Sequence, residues 1–377
     1  LSAAWPQHPE SERRAPHVLV SGVVLGQPMG GVRRHSMELL PRVAALLAEH
    51  GGSLAVLEGR TRIAFDLPRA IERIASDVPA EPVLARARAE SAALRAAIAA
   101  REKSGRPIDL VHTAHLPAPR GLAIPFSITI HDLRGLDARV ASFARRRASS
   151  LTLAAALRRA RAVITVSRSV RDELIARLHA RPERMHVVAN AADHFEPRAR
   201  HAGERAPIYC IGHLEPRKNI DVVLRALALD RELPPLVLAG AAKAGEDERL
   251  RRLASELGVA GRVTFRGAFD EAELAPLYAH ASCVVLASFV EGFGIGALEA
   301  QRARVPLAVA SSPALLEVTG GRAPSFDPND AGACAQAVRR ALASSREELE
   351  RAAANAASYT WDASARAWFE VWRSIAR

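Results

Sequence analysis

Residues 283–300 read CVVLASFVEGFGIGALEA, an apolar run that ends in a glycine turn and passes into helix-forming residues. A continuous run rich in Val and Leu is the pattern of a parallel strand covered on both faces. Gly292, Gly294 and Gly296 let the backbone approach a ligand closely, and a helix starting after them would aim free N–H groups at phosphate oxygens. Glu291 and Glu299 flank that stretch, and a carboxylate one or two turns into the helix can accept hydrogen bonds from a ribose diol. Glycines after a strand are also common turn punctuation. The stretch does not stand alone, because GHLEPRKNIDVVLRAL at 212–227 is again a strand end and helix start, with Arg217 and Lys218 placed where a diphosphate would sit.

Working outward, short runs of Val, Ile and Leu alternate with longer amphipathic stretches along the chain. The strand candidates are HVLVSGVV, SLAVLE, IDLVHT, FSITIH, AVITVS and MHVVAN, then PIYCIG, PLVLAG, RVTFRG, CVVLAS and PLAVAS. That rhythm predicts α/β architecture with doubly wound parallel sheets. At 377 residues the chain exceeds what one core usually supports, which predicts two domains. The polar segment HFEPRARHAGERAP, 194–207, reads as the linker, giving an N-terminal domain over 1–197 and a C-terminal domain over 205–358. In YTWDASARAWFEVWRSIAR, Trp361, Ala365, Trp368, Trp372 and Ile375 recur at helical spacing, so one face of a final helix, 360–377, must be buried. It is expected to pack back on the first domain.

Composition narrows the function. No apolar run is long enough to span a bilayer, and the opening LSAAWPQHPESERRAPH has neither the apolar core nor the charge order of a signal peptide. A soluble, cytoplasmic protein is expected. Cys210, Cys283 and Cys334 are widely spaced among apolar neighbours and fit buried free thiols, and no Cys/His metal spacing is present. The formal net charge of +11, with arginines crowding ASFARRRASSLTLAAALRRARA at 141–162, favours anionic partners. Nucleotide sugars and an anionic membrane surface on the inner face of the cell membrane both qualify. Nucleic acid is not expected, since aromatics are only 5% of the chain and no nucleic-acid-binding motif is present.

Further candidates follow predicted strands, where ligands of open α/β sheets bind. Gly30 and Gly31 lie between the first strand and a helix, where backbone N–H groups can meet a phosphate or a sugar hydroxyl; Pro41 in that helix predicts a kink or an early stop. His131 and Asp132 end SITIHD and face the expected cleft, or serve only to close the loop. Ser167 reads as a helix cap and Asn190 as a turn residue.

Taken in order, these residues resemble the retaining glycosyltransferases of family four, which have the GT-B fold. The likeness spans nearly the whole chain: the glycine pair, HD after SITI, VS after VIT, EPRKN after a strand and glycine, the two glutamates with GFG after the first, and SFDPND at 325–330. EPRKN is most similar to mannosyl- and rhamnosyl-type members that build polysaccharides or lipopolysaccharide. The resemblance implies two Rossmann-like domains facing across a cleft, the first on the acceptor side. It implies Arg217 and Lys218 on the donor diphosphate, Glu299 on the ribose, Glu291 on the transferred sugar, and backbone N–H groups from Phe293, Gly294 and Ile295. It also implies Gly267 to Phe269 at the base and His131 near the reacting carbon. No cofactor or metal is implied; the nucleotide diphosphate sugar is a co-substrate, and the acceptor is a glycan or a lipid-linked sugar. Four positions depart from the family pattern: His213 for arginine, Ala191 for glycine, Gly296 for proline and Arg304 for a small glycine. The rival readings are a sugar-nucleotide epimerase of the same architecture and a non-catalytic nucleotide-sugar-binding protein.

Overall fold

The structure is a computed structural model that describes residues 14–27, 30–201, 203 and 206–376. The first thirteen residues and positions 202, 204 and 205 of the expected linker lie outside the described residues.

The first half runs β1 (His17–Gly22), α1 (Gly31–Glu49), β2 (Ser53–Glu58), β3 (Glu72–Ala75), α2 (Val83–Lys103), β4 (Leu110–Thr113), β5 (Phe126–Ile130), α3 (Phe143–Arg159), β6 (Ala162–Thr165), α4 (Arg168–Leu178) and β7 (Met185–Val187). The second half runs β8 (Ile208–Ile211), α5 (Ile220–Leu229), β9 (Leu236–Ala239), α6 (Glu246–Glu256), β10 (Val263–Gly267), α7 (Leu274–His280), β11 (Cys283–Leu286), α8 (Ile295–Arg302), β12 (Leu307–Ala310), α9 (Pro313–Thr319), β13 (Ser325–Phe326), α10 (Ala331–Leu342), α11 (Arg346–Ala357) and α12 (Trp361–Ile375).

Among the described residues the strands form two parallel sheets, ordered β3-β2-β1-β4-β5-β6-β7 and β10-β9-β8-β11-β12-β13. Central strands such as β4, β5, β6 and β11 are buried at every position, which is why their sequences do not alternate. In each sheet the winding direction reverses once, between β1 and β4 and between β8 and β11, and the crevice outside such a reversal is where open α/β sheets take ligands. The segment leading to Gly30 leaves β1, Arg217 and Lys218 follow β8, and Glu291 follows β11. The protein is therefore α/β with two doubly wound sheets, the GT-B arrangement.

Two strands went unread. β3 is an edge strand with Glu72 and Arg73 side by side, and β13 has only two residues, so neither shows an apolar run. Helix α1 corrects the early stop expected at Pro41, since it continues unbroken to Glu49. Beside that proline the Arg42 guanidinium donates to the Glu38 carbonyl oxygen at 2.8 Å. The three cysteines are free and buried, and burial pushes the Cys210 thiol up to about 12.

After leaving the second sheet the chain returns, and α12 lies against α1 of the first half. Its apolar stripe seats Trp361, Trp368 and Trp372 at 0, 2 and 0% exposure among Leu39, Val43 and Leu47 of α1 and residues of β1 and β2. Thr360 caps its first turn by accepting the Ala363 N–H. Trp372 also donates its indole N–H to Ser127 Oγ at 3.1 Å. These rings are packing residues, and emptying one leaves a cavity beside a hydroxyl that has lost its donor. Trp372→Ala should lower stability by about 3 to 5 kcal/mol, read as a shift of the urea midpoint; a shift below about 1 kcal/mol would mean that α12 is not part of the first domain's core.

Candidate active site

The site grows from two turns that leave adjacent strands. After β8, Gly212 at φ +125° and the tight turn Pro216–Lys218 lift Arg217 and Lys218 above the end of the sheet. After β11, the turn that ends in Gly294 at φ +98° starts α8 and presents Glu291 to the same place. Lys218 Nζ lies 2.6 Å from Glu291 Oε1, Arg217 Nη1 lies 3.1 Å from Oε2, and Ser288 Oγ donates to Oε1 at 2.8 Å. A second carboxylate, Glu215, takes Arg217 Nη2 at 2.7 Å and has Lys243 at 3.7 Å. Burial alone would raise the Glu291 carboxyl, but the charges of Lys218 and Arg217 outweigh it and hold the group at about 2. Glu291 is therefore ionised near neutrality and counterbalances the two cations.

Glu299, one turn into α8, is buried and accepts from Tyr278 Oη at 2.7 Å and pairs with His194 Nε2 at 3.0 Å. Burial opposes ionisation there, but the His194 and Tyr278 hydrogen bonds, with the charges of His194 and Arg34, together outweigh it, so its carboxyl is held below its ordinary value. Gly294 opens α8, and the N–H groups that follow begin at Ile295, while the Phe293 side chain is buried edge-on to Tyr359 and serves packing. Gly267 and Phe269 lie at the exit of edge strand β10; no hydrogen bond or ion pair among the described residues joins them to the charged cluster.

From the first half, three loops meet this cluster. Gly30 sits where a Cβ would be 3.3 Å from His213 Nδ1, and a Cβ on Gly31 would be 4.0 Å from Ile295, so the glycine pair reaches across to the second domain. The backbone of His131 packs so closely on Gly292 that a Cβ on that glycine would collide with the His131 carbonyl oxygen. Any side chain at 292 would force the cleft apart. The His131 ring meets the buried His35 ring edge-on at 4.7 Å, and its Nε2 is buried without a partner among the described residues. Burial, with His35, His112 and Arg134 acting in the same direction, keeps this imidazole neutral by holding its pKa well below the ordinary value. Asn190 Oδ1 accepts from His35 Nδ1 at 2.7 Å, so it supports the ring beneath His131 rather than a turn alone.

Sequence reasoning missed the groups that bind the halves together. Ser167 does cap α4, accepting the Val170 N–H, and its hydroxyl also donates to the Gly292 carbonyl oxygen at 2.6 Å. Glu317 of α9 accepts the Arg168 and Ser169 N–H groups at 2.9 and 2.8 Å, an anion on the N-terminus of α4. Arg34 of α1 pairs with Glu271 beyond β10, and His194 of the expected linker pairs with Glu299. Each contact needs the tertiary fold, because the partners are more than 100 residues apart.

Two family models match in order. Glycosyltransferase Family 4 covers residues 29–194, and Glycosyl transferases group 1 covers residues 193–359. Among curated relatives, D-inositol 3-phosphate glycosyltransferase of Mycolicibacterium paratuberculosis is 34% identical over 208 residues, 50% of this chain and 47% of the relative. O-antigen chain mannosyltransferase B of Escherichia coli is 35% identical over 159 residues, 40% of this chain and 42% of the relative. The chain thus spans about half the length of the curated relatives it matches. Among solved structures, sucrose-phosphate synthase of Thermosynechococcus elongatus superposes with a TM-score of 0.80 at 20% identity over 96% of this chain and 99% of that one. WaaG, a glycosyltransferase involved in lipopolysaccharide biosynthesis, gives 0.65 at 19% identity over 91% and 94%. These two likenesses establish the fold.

The depressed Glu291 carboxyl makes a pH prediction. A carboxylate stabilised in the folded state contributes fully above its ordinary value near 4.5 and loses the contribution as pH falls toward about 2. The melting-temperature gap between the natural protein and Glu291→Gln should therefore narrow on acidification through that window. A gap that stays constant would show that Glu291 is not held by Arg217 and Lys218.

Proposed function

The chain belongs to the family 4, group 1 glycosyltransferases, and from that premise we propose that it moves a hexose or deoxyhexose from a nucleotide diphosphate sugar to an acceptor hydroxyl with retention of configuration. The observation that carries this reading is the convergence of Arg217, Lys218, Glu291 and the start of α8 outside the β8/β11 reversal, closed from above by the His131 backbone and the Gly30 turn.

In this reaction the bond from the anomeric carbon to the diphosphate breaks while the acceptor oxygen bonds the same face. The acceptor proton passes to the departing phosphate oxygen, leaving glycoside and nucleoside diphosphate. Negative charge grows on the leaving group, and the groups suited to stabilise it are Lys218, Arg217 and the first N–H groups of α8. No metal is assigned a part. Glu291, relieved of its cations by the incoming diphosphate, would accept hydroxyls of the transferred sugar, and Glu299 the ribose diol. A carboxyl held at about 2 is no general acid near neutrality, which argues against a glycosidase pair of Glu291 and Glu299. Gly267 to Phe269 would border the base, and the neutral His131 would face the sugar.

A mannose- or rhamnose-like sugar is favoured by the EPRKN turn and by the O-antigen chain mannosyltransferase among the relatives. The acceptor would be a glycan or a lipid-linked sugar; phosphorylated inositol enters by the other relative. Helix α3 supports a place at an anionic bilayer, because Phe143 and Leu151 are 70 and 64% exposed beside exposed Arg145 and Arg147. No helix among the described residues is long and apolar enough to cross a membrane.

A thermal-shift panel of GDP-, UDP-, dTDP- and ADP-sugars, followed by product analysis, tests the reading. Acceptor-dependent release of nucleoside diphosphate is expected; an isomerised nucleotide sugar would mean an epimerase, and stabilisation without turnover over an acceptor panel would mean a binding protein. Lys218→Ala should lower kcat about a hundred- to a thousandfold. Turnover at the natural rate would remove Lys218 from the mechanism.

A further inference from the structure

We infer that His213 is a ligand of the donor diphosphate and takes up a proton when that group binds, so that donor affinity rises as pH falls through neutrality. The inference rests on the nucleotide-sugar reading of the site and adds to it a proton that only this chain's residues bring.

His213 follows Gly212 at the end of β8 and, with Gly212, Lys218, Ile220 and Ser288, lines a small cavity beside the charged cluster. Its ring is half-buried under Gly30, the residue before α1, which offers no side-chain cap. Neither ring nitrogen has a hydrogen-bond partner among the described residues. The groups around it are mostly positive. Its own segment brings Glu215, Arg217 and Lys218, and the loop after β9 brings Lys243. The first turn of α1 brings Arg33 and Arg34, turned toward Phe65 and Glu271. From the turn after β11 comes Glu291, already occupied by two cations. From the loop after β5, Asp132 acts on Arg217 and Arg134 on Glu215.

In that setting burial comes first, then Lys243, with Lys218 and Arg217 adding to them against Glu215; together they lower the imidazole below its ordinary value and leave it neutral at pH 7. A helix N-terminus against the ring acts in the same direction. A diphosphate brought between α1, Lys218 and His213 reverses the local sign, and two negative charges at contact distance raise an imidazole pKa across the physiological range. By linkage, affinity then grows as pH falls through the raised value in the complex and stops growing below the lowered value in the free protein. A guanidinium in the same place would bind the diphosphate with no such dependence.

Calorimetric titration of the full chain with UDP-glucose, GDP-mannose, dTDP-rhamnose and ADP-glucose, in two buffers of different ionisation enthalpy, counts the protons. Nucleotide sugars are used because their diphosphate diester does not itself titrate near neutrality. Net uptake approaching one proton is expected near pH 7, with Kd tightening about tenfold from about pH 8 to about pH 6. In His213→Arg the uptake should vanish and the affinity become flat with pH. His213→Gln, which keeps a polar side chain of similar reach, should stay at the weak high-pH affinity throughout. Titration of the His213 ring C–H resonance in the unaltered protein, free and saturated, reads the same proton without a variant. Binding without uptake, uptake unchanged in both variants, or a ring pKa that does not rise would overturn this inference alone. If none of the four sugars binds, the donor reading falls, and this inference with it.

Discussion

Two cations on one carboxylate set the chemistry of this cleft. Arg217 and Lys218 lie side by side at the end of β8; Glu215 pairs with Arg217 alone, whereas Glu291, delivered by the next strand in the sheet, holds both. A buried charge is tolerated only when it is paired and hydrogen-bonded. Ser288, the Val290 carbonyl oxygen and Glu215 supply further partners, while the buried Arg217 Nε has none among the described residues. An arrangement of this sort is preorganised for exchange. On the proposed reading, an incoming diphosphate would take over the cations and the released carboxylate would accept sugar hydroxyls.

The first domain packs over this cluster through backbone contact rather than through a long side chain. Gly292 meets the His131 carbonyl, Ser167 bonds the Gly292 carbonyl, and Glu317 sits on the N-terminus of α4. The first two contacts fall on the turn that carries Glu291, and the third lies beside Ser167. The contact between the halves and the position of Glu291 therefore share one turn. Helix α12 packs its tryptophans on α1, the helix whose capping residue Gly30 lies against His213.

How far this was legible in the sequence depends on the range of each interaction. Central strands declare themselves because burial on both faces leaves an unbroken apolar run, and the turns after β8 and β11 do so because positive φ at Gly212 and Gly294 requires glycine. Edge strands β3 and β13 carry no such mark. Glu291, Arg217 and Lys218 could be named as candidates from their place after strands, but their mutual pairing spans 73 residues and becomes visible only once β8 and β11 lie side by side. His194, Tyr278 and Glu317 look ordinary in the sequence; a polar residue in a linker or on a helix gives no sign of the carboxylate or amide it will meet.

The four departures from the family pattern show the same distinction between position and consequence. Arg304 takes a left-handed conformation, at a cost of about 1 to 2 kcal/mol, but it lies past the C-terminus of α8, where it pairs with Glu350 in solvent. Ala191 is fully buried and packs in the first domain's core, and a Cβ on Gly296 would make only ordinary contacts with Tyr278, Leu286 and Glu299. None of the three alters a charge near Glu291. His213 does, since it stands in the cavity with Lys218 and under the glycine pair. Replacing a fixed cation by a group that titrates makes the charge of the pocket depend on what fills it, so the departure that matters for binding is the one that changes when charge is present rather than where it is placed.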